Sequence, residues 1–427
     1  MNVIDITCEP ENLNVPEFRK LVNLSITNNK AGTLALIDLI DFKNINYHLG
    51  TETADQTLLF IGEELAKNLT LRYGTFSAVC HYTSDLFLFY IASNVTQEES
   101  VDLFLNVNSV ITKPNTMMPE NVKLDFRMTM TSYNNIANNF DIMVEGCEYL
   151  MRLAKSKDER FIPTGNNIPQ AFLSRAAFTE EFNASLLNKD FRFVLQPKHD
   201  IDNGSVIGAE ALCRWYDKDG NLYPLPVVLD LIFQYGLADT FAKHTVDFAF
   251  EILREIKISG HPLITISINM DVHQLSSKSV YEHFVLRAEE NRQFVPYLEI
   301  ELTEDNLFSN QIDCIRYLKR LRNQGYGLSV DDFGRGYSNL QSLIDLKPDV
   351  IKIDKSLIDN IINCDSSVKV LTAIIAMGIS TKGIIAEGVE LDEQISVLKK
   401  LGIKHVQGHF FNPPVQRHDF FDILKLR

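Results

Sequence analysis

No apolar run in this 427-residue chain approaches the roughly 18 residues of a membrane-spanning helix. The first ten residues also lack the positive cluster and apolar segment of a secretory signal. The expectation is a cytoplasmic protein without a membrane span. Cysteine is sparse: Cys8, Cys80, Cys147, Cys213, Cys314 and Cys364 stand apart with no Cys-x-x-Cys pair, so neither a disulfide framework nor a zinc ribbon is suggested. Positive charge is in deficit, with 41 Lys and Arg against 56 Asp and Glu and a net charge of -15. That balance argues against DNA or an anionic membrane as partner, so an anionic substrate must be held by local groups and metal. Low-complexity tracts and short internal repeats are missing as well.

What is present is enough apolar material, 45% of residues, to build more than one core. Pro, Gly and Asn concentrate between 160 and 170, which is linker chemistry. We therefore expect a first domain over 1–163, a linker over 164–169 and a second domain over 170–427. The first half mixes its periodicities: a buried strand from Leu34, a helix from Ala54 to Leu69, a hairpin turning at Tyr82 to Asp85, a strand from Lys123 and a helix from Ile142 to Ala154. This predicts an α+β sandwich. The chain enters that half almost at once, so any input is expected through a protein contact or through the first domain itself.

The second half repeats one unit, an apolar run that ends on a polar side chain and leads into a helical segment. The runs close at Glu210, Asn269, Glu301 with Glu304, Asp331 with Asp332, Lys352, Glu387 and Gln407. A (β/α) barrel displays its chemistry this way, at the C-terminal ends of several strands. So many acids at one mouth repel each other unless cations neutralise them, so the pattern implies bound metal. Adjacent strand residues face apart, hence Asp331 and Asp332 can serve one cluster only where the strand bends, and Gly334 and Gly336 would supply the bend. An ordinary capped loop is the plain alternative for that pair alone. Lys352, between apolar neighbours, either pairs with Asp354 or points into the mouth, where it could orient or deprotonate a water. Arg214 offers a planar fork for a phosphate oxygen, although a lone Glu-Arg pair is more often a surface or structural ion pair. Glu304, three residues past Glu301, is expected to anchor the loop after Asp332.

In order along the chain, Leu-Gln-Pro at 195, Glu-Ala-Leu at 210, Asn-Met at 269, Glu-Leu-Thr-Glu at 301, Asp-Asp-Phe-Gly at 331, Lys-Ile-Asp at 352, Ala-Glu-Gly-Val-Glu at 386 and Gln-Gly-His at 407 resemble the EAL family. Those proteins are TIM-like barrels that hydrolyse cyclic di-GMP to linear pGpG. The resemblance implies that Glu210, Asn269, Glu301, Asp331, Asp332 and Glu387 hold two Mg²⁺ or Mn²⁺ ions, a metal choice that also suits hard oxygen ligands. It implies further that Lys352 acts on the attacking water and Gln407 lies at the rim of the metal and water site. Glu210, Glu387, Lys352 and Gln407 would form the catalytic group. Gln196, Leu212 and Arg214 would touch substrate, Glu390 would support the mouth from behind the ligands, and Glu304 would hold the loop. Family members tend to dimerise through the barrel. One departure stands out: Arg335 replaces the small residue usual between the two glycines of the Asp-Phe-Gly-x-Gly loop, which bears on regulation and rate but leaves the ligand set intact.

Residues 20–160 resemble a GGDEF diguanylate cyclase domain through Leu36 to Asn46, the helix near Ala54 and the turn at Thr83. The resemblance is to a degenerate member. The signature turn reads Thr-Ser-Asp-Leu-Phe from 83, without the two glycines that let backbone approach a triphosphate. Asp38 fits the first metal aspartate, but Ile40 and Tyr47 stand where further acids are usual. Gly74 and Ser77 occupy the places of the inhibitory Arg and Asp. The expectation is no cyclase activity, leaving a structural or dimerising role, a protein-interaction role or allosteric GTP binding. For the whole chain the leading expectation is a phosphodiesterase. A non-hydrolysing cyclic di-GMP receptor and a ligand-independent scaffold are the alternatives.

Overall fold

A computed structural model of the chain describes residues 12–425 apart from 30, 43–46, 48–49, 74–76, 114–123, 133–138, 189, 218, 304–311, 335–342 and 344–345. Two compact units emerge, one reaching to Ala184 and including Pro226–Asp230, the other comprising Ser185–Leu225 and Leu231 onward. The division falls within the helix Arg175–Asn188. Residues 164–169 carry no helix or strand. Among the described residues no helix is long and apolar enough to cross a membrane.

In the first unit, strands β1 (Asn12–Leu13), β2 (Thr33–Ile40), β3 (Ser77–Thr83), β4 (Leu86–Ile91), β5 (Asp125–Ser132) and β6 (Phe161–Ile162) form one sheet in the order β1-β3-β4-β2-β5-β6. Period-two alternation sends Ala35, Ile37 and Leu39 of β2 into one core with helices Thr51–Tyr73 and Gln97–Ile111. Leu34 and Leu36 enter a second core with helices Val15–Asn29 and Phe140–Lys157. Both faces are covered, which is why β2 reads as a continuous apolar run from Leu34 to Ile37 before Asp38. The expected hairpin is present but tighter: β3 runs on to Thr83, and Ser84 turns the chain with φ of 49°. The helices expected from Ala54 and Ile142 are longer than read from the pattern. Those over 15–29 and 97–111 were not expected.

The second unit is a closed barrel of β7 (Phe191–Asp200), β8 (Val206–Trp215), β9 (Thr265–Asn269), β10 (Leu298–Thr303), β11 (Gly327–Phe333), β12 (Val350–Ile353), β13 (Gly383–Ala386) and β14 (His405–Val406). Seven strands run parallel. β7 runs against both neighbours, β8 and β14, and reaches β8 through a short turn rather than a helix. Outward-facing Ile351 and Ile353 of β12 pack into an apolar cluster with Leu371, Ile374, Ile395 and Leu398 from the flanking helices. The residue between them, Lys352, must then point inward.

Candidate active site

All seven strand tips expected from the sequence meet at the C-terminal end of the parallel strands. Their centre is the Lys352 ammonium, which is 0% exposed. Its Nζ lies 3.1 Å from Glu210 Oε2, 2.9 Å from Glu301 Oε2, 3.1 Å from Asp331 Oδ2 and 2.7 Å from Glu387 Oε1. Lys352 thus pairs with acids on β8, β10 and β11 and with Glu387 one residue past β13, and the Asp354 alternative falls away, since the Asp354 carboxylate caps the helix that follows by accepting from the Ser356 amide. Gln407, one residue past β14, donates from Nε2 to Glu210 Oε2 at 2.7 Å and to Gln196 Oε1 at 3.1 Å. Asn269 donates to Glu210 Oε1 at 2.6 Å. Glu210 is therefore fixed from both sides.

Asp331 and Asp332 share the site because the strand kinks between them. The pairing of β11 with β12 slips between Val330 and Phe333, and Asp332 sits at φ 54°, in the left-handed region that aspartate tolerates better than most residues. The bend thus begins at Asp332 itself, two residues before Gly334 at φ 99°. Gly336, Arg335 and Glu304 lie outside the described residues. A second close approach fixes Gln407: a Cβ on Gly408 would run into the backbone of Val389.

Further candidates stand around this cluster. Glu210, Leu212 and Arg214 alternate along β8 on one face, with Gln196 directly opposite Glu210 on β7. Arg214 is half-buried and bonds the Cys213 carbonyl at 2.8 Å. Glu390 is exposed and pairs with Lys355 Nζ at 2.7 Å, so it braces the loop after Glu387 against the helix after β12. Two charged residues escaped the sequence reading. Lys198, 2% exposed, lies 2.7 Å from Glu301 Oε1 and 3.3 Å from Glu299 Oε1. The signal was available: Lys198 is two residues beyond Gln196 and Glu299 two before Glu301, hence on the same inward faces.

The electrostatics are unbalanced. Glu210, Glu299, Glu301, Asp331, Asp332 and Glu387 are six acids facing the two ammonium groups of Lys198 and Lys352. Burial pushes Glu387 up to about 8 and Asp331 to about 6, with the neighbouring acids adding to the rise against the pull of Lys352. Glu301 feels burial too, but Lys198 and Lys352 together bring it down to about 2. For Lys352, burial favours the neutral amine, and the surrounding carboxylates overcome this and hold its pKa well above the usual range.

Divalent cations fit this donor set. Carboxylate oxygens of Glu210, Glu301 and Asp331 lie within 4.8 Å of one another, and so do those of Asp331, Asp332 and Glu387. All are hard oxygen donors of the kind Mg²⁺ and Mn²⁺ take. The four surplus negative charges of the fully ionised set equal the charge of two such ions. Gln407 Oε1 is buried with no hydrogen-bond partner among the described residues, which leaves it open to accept from a bound water.

A closed (β/α) barrel with an antiparallel first strand and an acidic, cation-fitting mouth defines the class. Residues 179–414 match the EAL domain family and residues 16–160 the diguanylate cyclase GGDEF domain family, so the chain belongs to the EAL family with a GGDEF domain ahead of the barrel. It is 28% identical over 395 residues to the cyclic di-GMP phosphodiesterase NbdA of Pseudomonas aeruginosa, covering 90% of this chain and 49% of NbdA. The PaMucR phosphodiesterase in complex with c-di-GMP superposes with a TM-score of 0.53 at 27% identity, covering 57% of this chain and 98% of that one. The S helix-GGDEF-EAL part of Vibrio cholerae LapD, bound to c-di-GMP, superposes with a TM-score of 0.66 at 16% identity over 93% of this chain and 94% of that one, a likeness of fold. The chain spans about half the length of the curated relatives it matches.

Proposed function

We propose that the barrel hydrolyses cyclic di-GMP to linear pGpG with two Mg²⁺ or Mn²⁺ ions held by Glu210, Asn269, Glu301, Asp331, Asp332 and Glu387. The convergence of the acids from β8, β10, β11 and the end of β13 around Lys352 carries this reading. Bound divalent ions supply Lewis acidity toward a phosphoryl oxygen and lower the pKa of a water. The chain's own groups do the positioning. Gln407 Oε1 accepts a hydrogen from the attacking water, while its amide nitrogen keeps Glu210 in place. Lys352 stays an ammonium among four acids, so it works as a donor that orients rather than as a base. Arg214, four residues beyond Glu210 on the same face and so roughly 13 Å further along β8, is placed to reach a second phosphate or a base, with Leu212 and Gln196 between. Glu390 keeps the Glu387 loop in register.

The first domain, in this reading, makes no cyclic di-GMP. Its candidate metal aspartate, Asp38, is paired with Lys155 at 2.6 Å, and the left-handed Ser84 and its neighbour Thr83 place side chains where a triphosphate would need bare backbone. It serves instead a regulatory or structural role, as the docking site of a protein partner, while the barrel dimerises, in the cytoplasm. The residues 164–169 are the proposed linker.

Purified protein incubated with cyclic di-GMP and either metal, with products separated by chromatography, tests the central reading. Accumulation of pGpG supports it, and no pGpG under Mg²⁺ or Mn²⁺ refutes it. Tight nucleotide binding without turnover would move the chain to the receptor class. The same preparation given GTP should release no cyclic di-GMP.

A further inference from the structure

We propose that Lys198 is a positioning residue for the candidate metal centre: held by Glu299 and Ser267 one layer beneath it, Lys198 occupies one oxygen of Glu301 so that only the other can face a cation. The inference rests on the metal reading above and concerns residues outside that ligand set.

Lys198 Nζ has three hydrogens and three acceptors, Glu301 Oε1 at 2.7 Å, Ser267 Oγ at 2.8 Å and Glu299 Oε1 at 3.3 Å. Every member is enclosed: Lys198 is 2% exposed, Glu299 3%, and Ser267 and Glu301 0%. The layers follow from the register, in which Ser267 pairs with Glu299 and Asn269 with Glu301. Glu301 Oε2 meanwhile faces Lys352 at 2.9 Å. Its two oxygens are thus divided between an ammonium below and the mouth above. A carboxylate pinned in this way offers a cation one oxygen in one direction, and bidentate ligation is closed to it.

Stability alone does not account for the pair. A barrel interior is ordinarily filled by branched apolar side chains, and replacing a buried ion pair by such residues is often neutral or stabilising. Orienting a metal ligand is what an outer partner of this kind does elsewhere, and losing one weakens metal binding about 10–100-fold.

Charge and position can be separated experimentally. The double variant Lys198→Met/Glu299→Leu removes one positive and one negative charge together, so the potential at the mouth is nearly unchanged while the anchor on Glu301 is gone. Mn²⁺ binding to the metal-stripped full chain is followed by calorimetry and by the electron paramagnetic resonance spectrum of the bound ion. The expected result is a folded protein whose Mn²⁺ affinity falls at least about tenfold, with an altered spectrum and a loss carried by kcat rather than KM. Ser267→Ala, which keeps every charge and nearly all the volume, should show a smaller loss in the same direction. Wild-type Mn²⁺ affinity and spectrum in the double variant, or in Ser267→Ala should the double variant not fold, overturn the inference while leaving the metal reading intact. Absence of Mn²⁺ uptake by the wild type overturns both.

Discussion

Removing the Lys352 ammonium is the sharpest perturbation of this site, because four carboxylates, three on strands and one just past β13, meet at that one nitrogen. Lys352→Ala leaves Glu210, Glu301, Asp331 and Glu387 without the cation that now lies 2.7 to 3.1 Å from each. Breaking a buried ion pair from one side costs about 3–5 kcal/mol. The metal-free protein can escape part of that by keeping protons on Glu387 and Asp331, whose pKa values already stand at about 8 and 6. We therefore expect a loss of a few kcal/mol in the metal-free state and a smaller one when Mn²⁺ is present to take over the charge. Lys352 is 0% exposed and lies beneath the mouth, so it contributes little to gripping the bases of a dinucleotide. The catalytic effect should fall on kcat, by about 10²–10⁴-fold as for loss of a positioned proton donor, with KM nearly unchanged. Steady-state pGpG formation at saturating Mn²⁺ measures both constants, and Lys352→Met, closer in volume, controls for the cavity. A kcat within about twofold of wild type, or a loss carried by KM alone, refutes the role given to Lys352.

Glu210 receives hydrogen bonds from Asn269, Lys352 and Gln407, so Glu210→Ala should abolish both turnover and high-affinity Mn²⁺ uptake, read by product chromatography and calorimetry. Gly408→Ala must push the backbone off Val389, which should destabilise the chain by about 1–3 kcal/mol in urea melts and displace Gln407 enough to lower kcat. Thr96→Ala removes a reciprocal cap in which Thr96 Oγ1 accepts from the Glu99 amide and the Glu99 carboxylate accepts from the Thr96 amide. The expected cost is about 1 kcal/mol with no change in turnover. His244 is half-buried beside Phe193 and Phe191, and that burial lowers its pKa from 6.5 against the pull of Asp247 and Glu251. Its contribution to stability is intact above the unfolded pKa and is lost as the pH falls, because the unfolded chain then takes a proton that the fold refuses. His244→Phe should therefore shrink the drop in stability between about pH 7 and pH 5, and an unchanged slope would contradict the assignment.

The barrel was legible because a parallel strand advertises itself twice, as a short apolar run and as the polar residue where the run reaches the mouth. Direction is another matter. Period two is the same whichever way a strand runs, so the antiparallel β7 could be recognised only from its connection. That signal was present: Asp200 Oδ1 accepts from the amides of Asp202 and Asn203, and Gly204 closes the turn at φ 71°, so Asp-Ile-Asp-Asn-Gly is hairpin chemistry with no room for a helix. Lys198 and Glu299 were missed for a related reason. Attention to the last residue of each run overlooks the pleat below it, where a charge is as buried and as constrained as the ligand it supports. In the first domain the helix over 97–111 was missed although Thr96 and Glu99 spell a capping box, a local signal that outlasts the dilution of apolar periodicity by Asn106, Asn108 and Ser109.

The kink at Asp332 could not be placed from sequence, and its energetics explain why it exists. In an undistorted strand Asp331 and Asp332 would point to opposite faces, and one of the two would be driven into the apolar layer behind β11. Putting Asp332 into the left-handed region costs about 1–2 kcal/mol for a residue with a Cβ. Burying an unpaired carboxylate in that layer would cost several times more. The kink is the cheaper solution, and it brings oxygens of Asp331, Asp332 and Glu387 within 4.8 Å of one another. The strain therefore sits where the chain must gather more negative charge than its two buried lysines can balance, and a divalent cation bound between those oxygens is what would make the arrangement favourable.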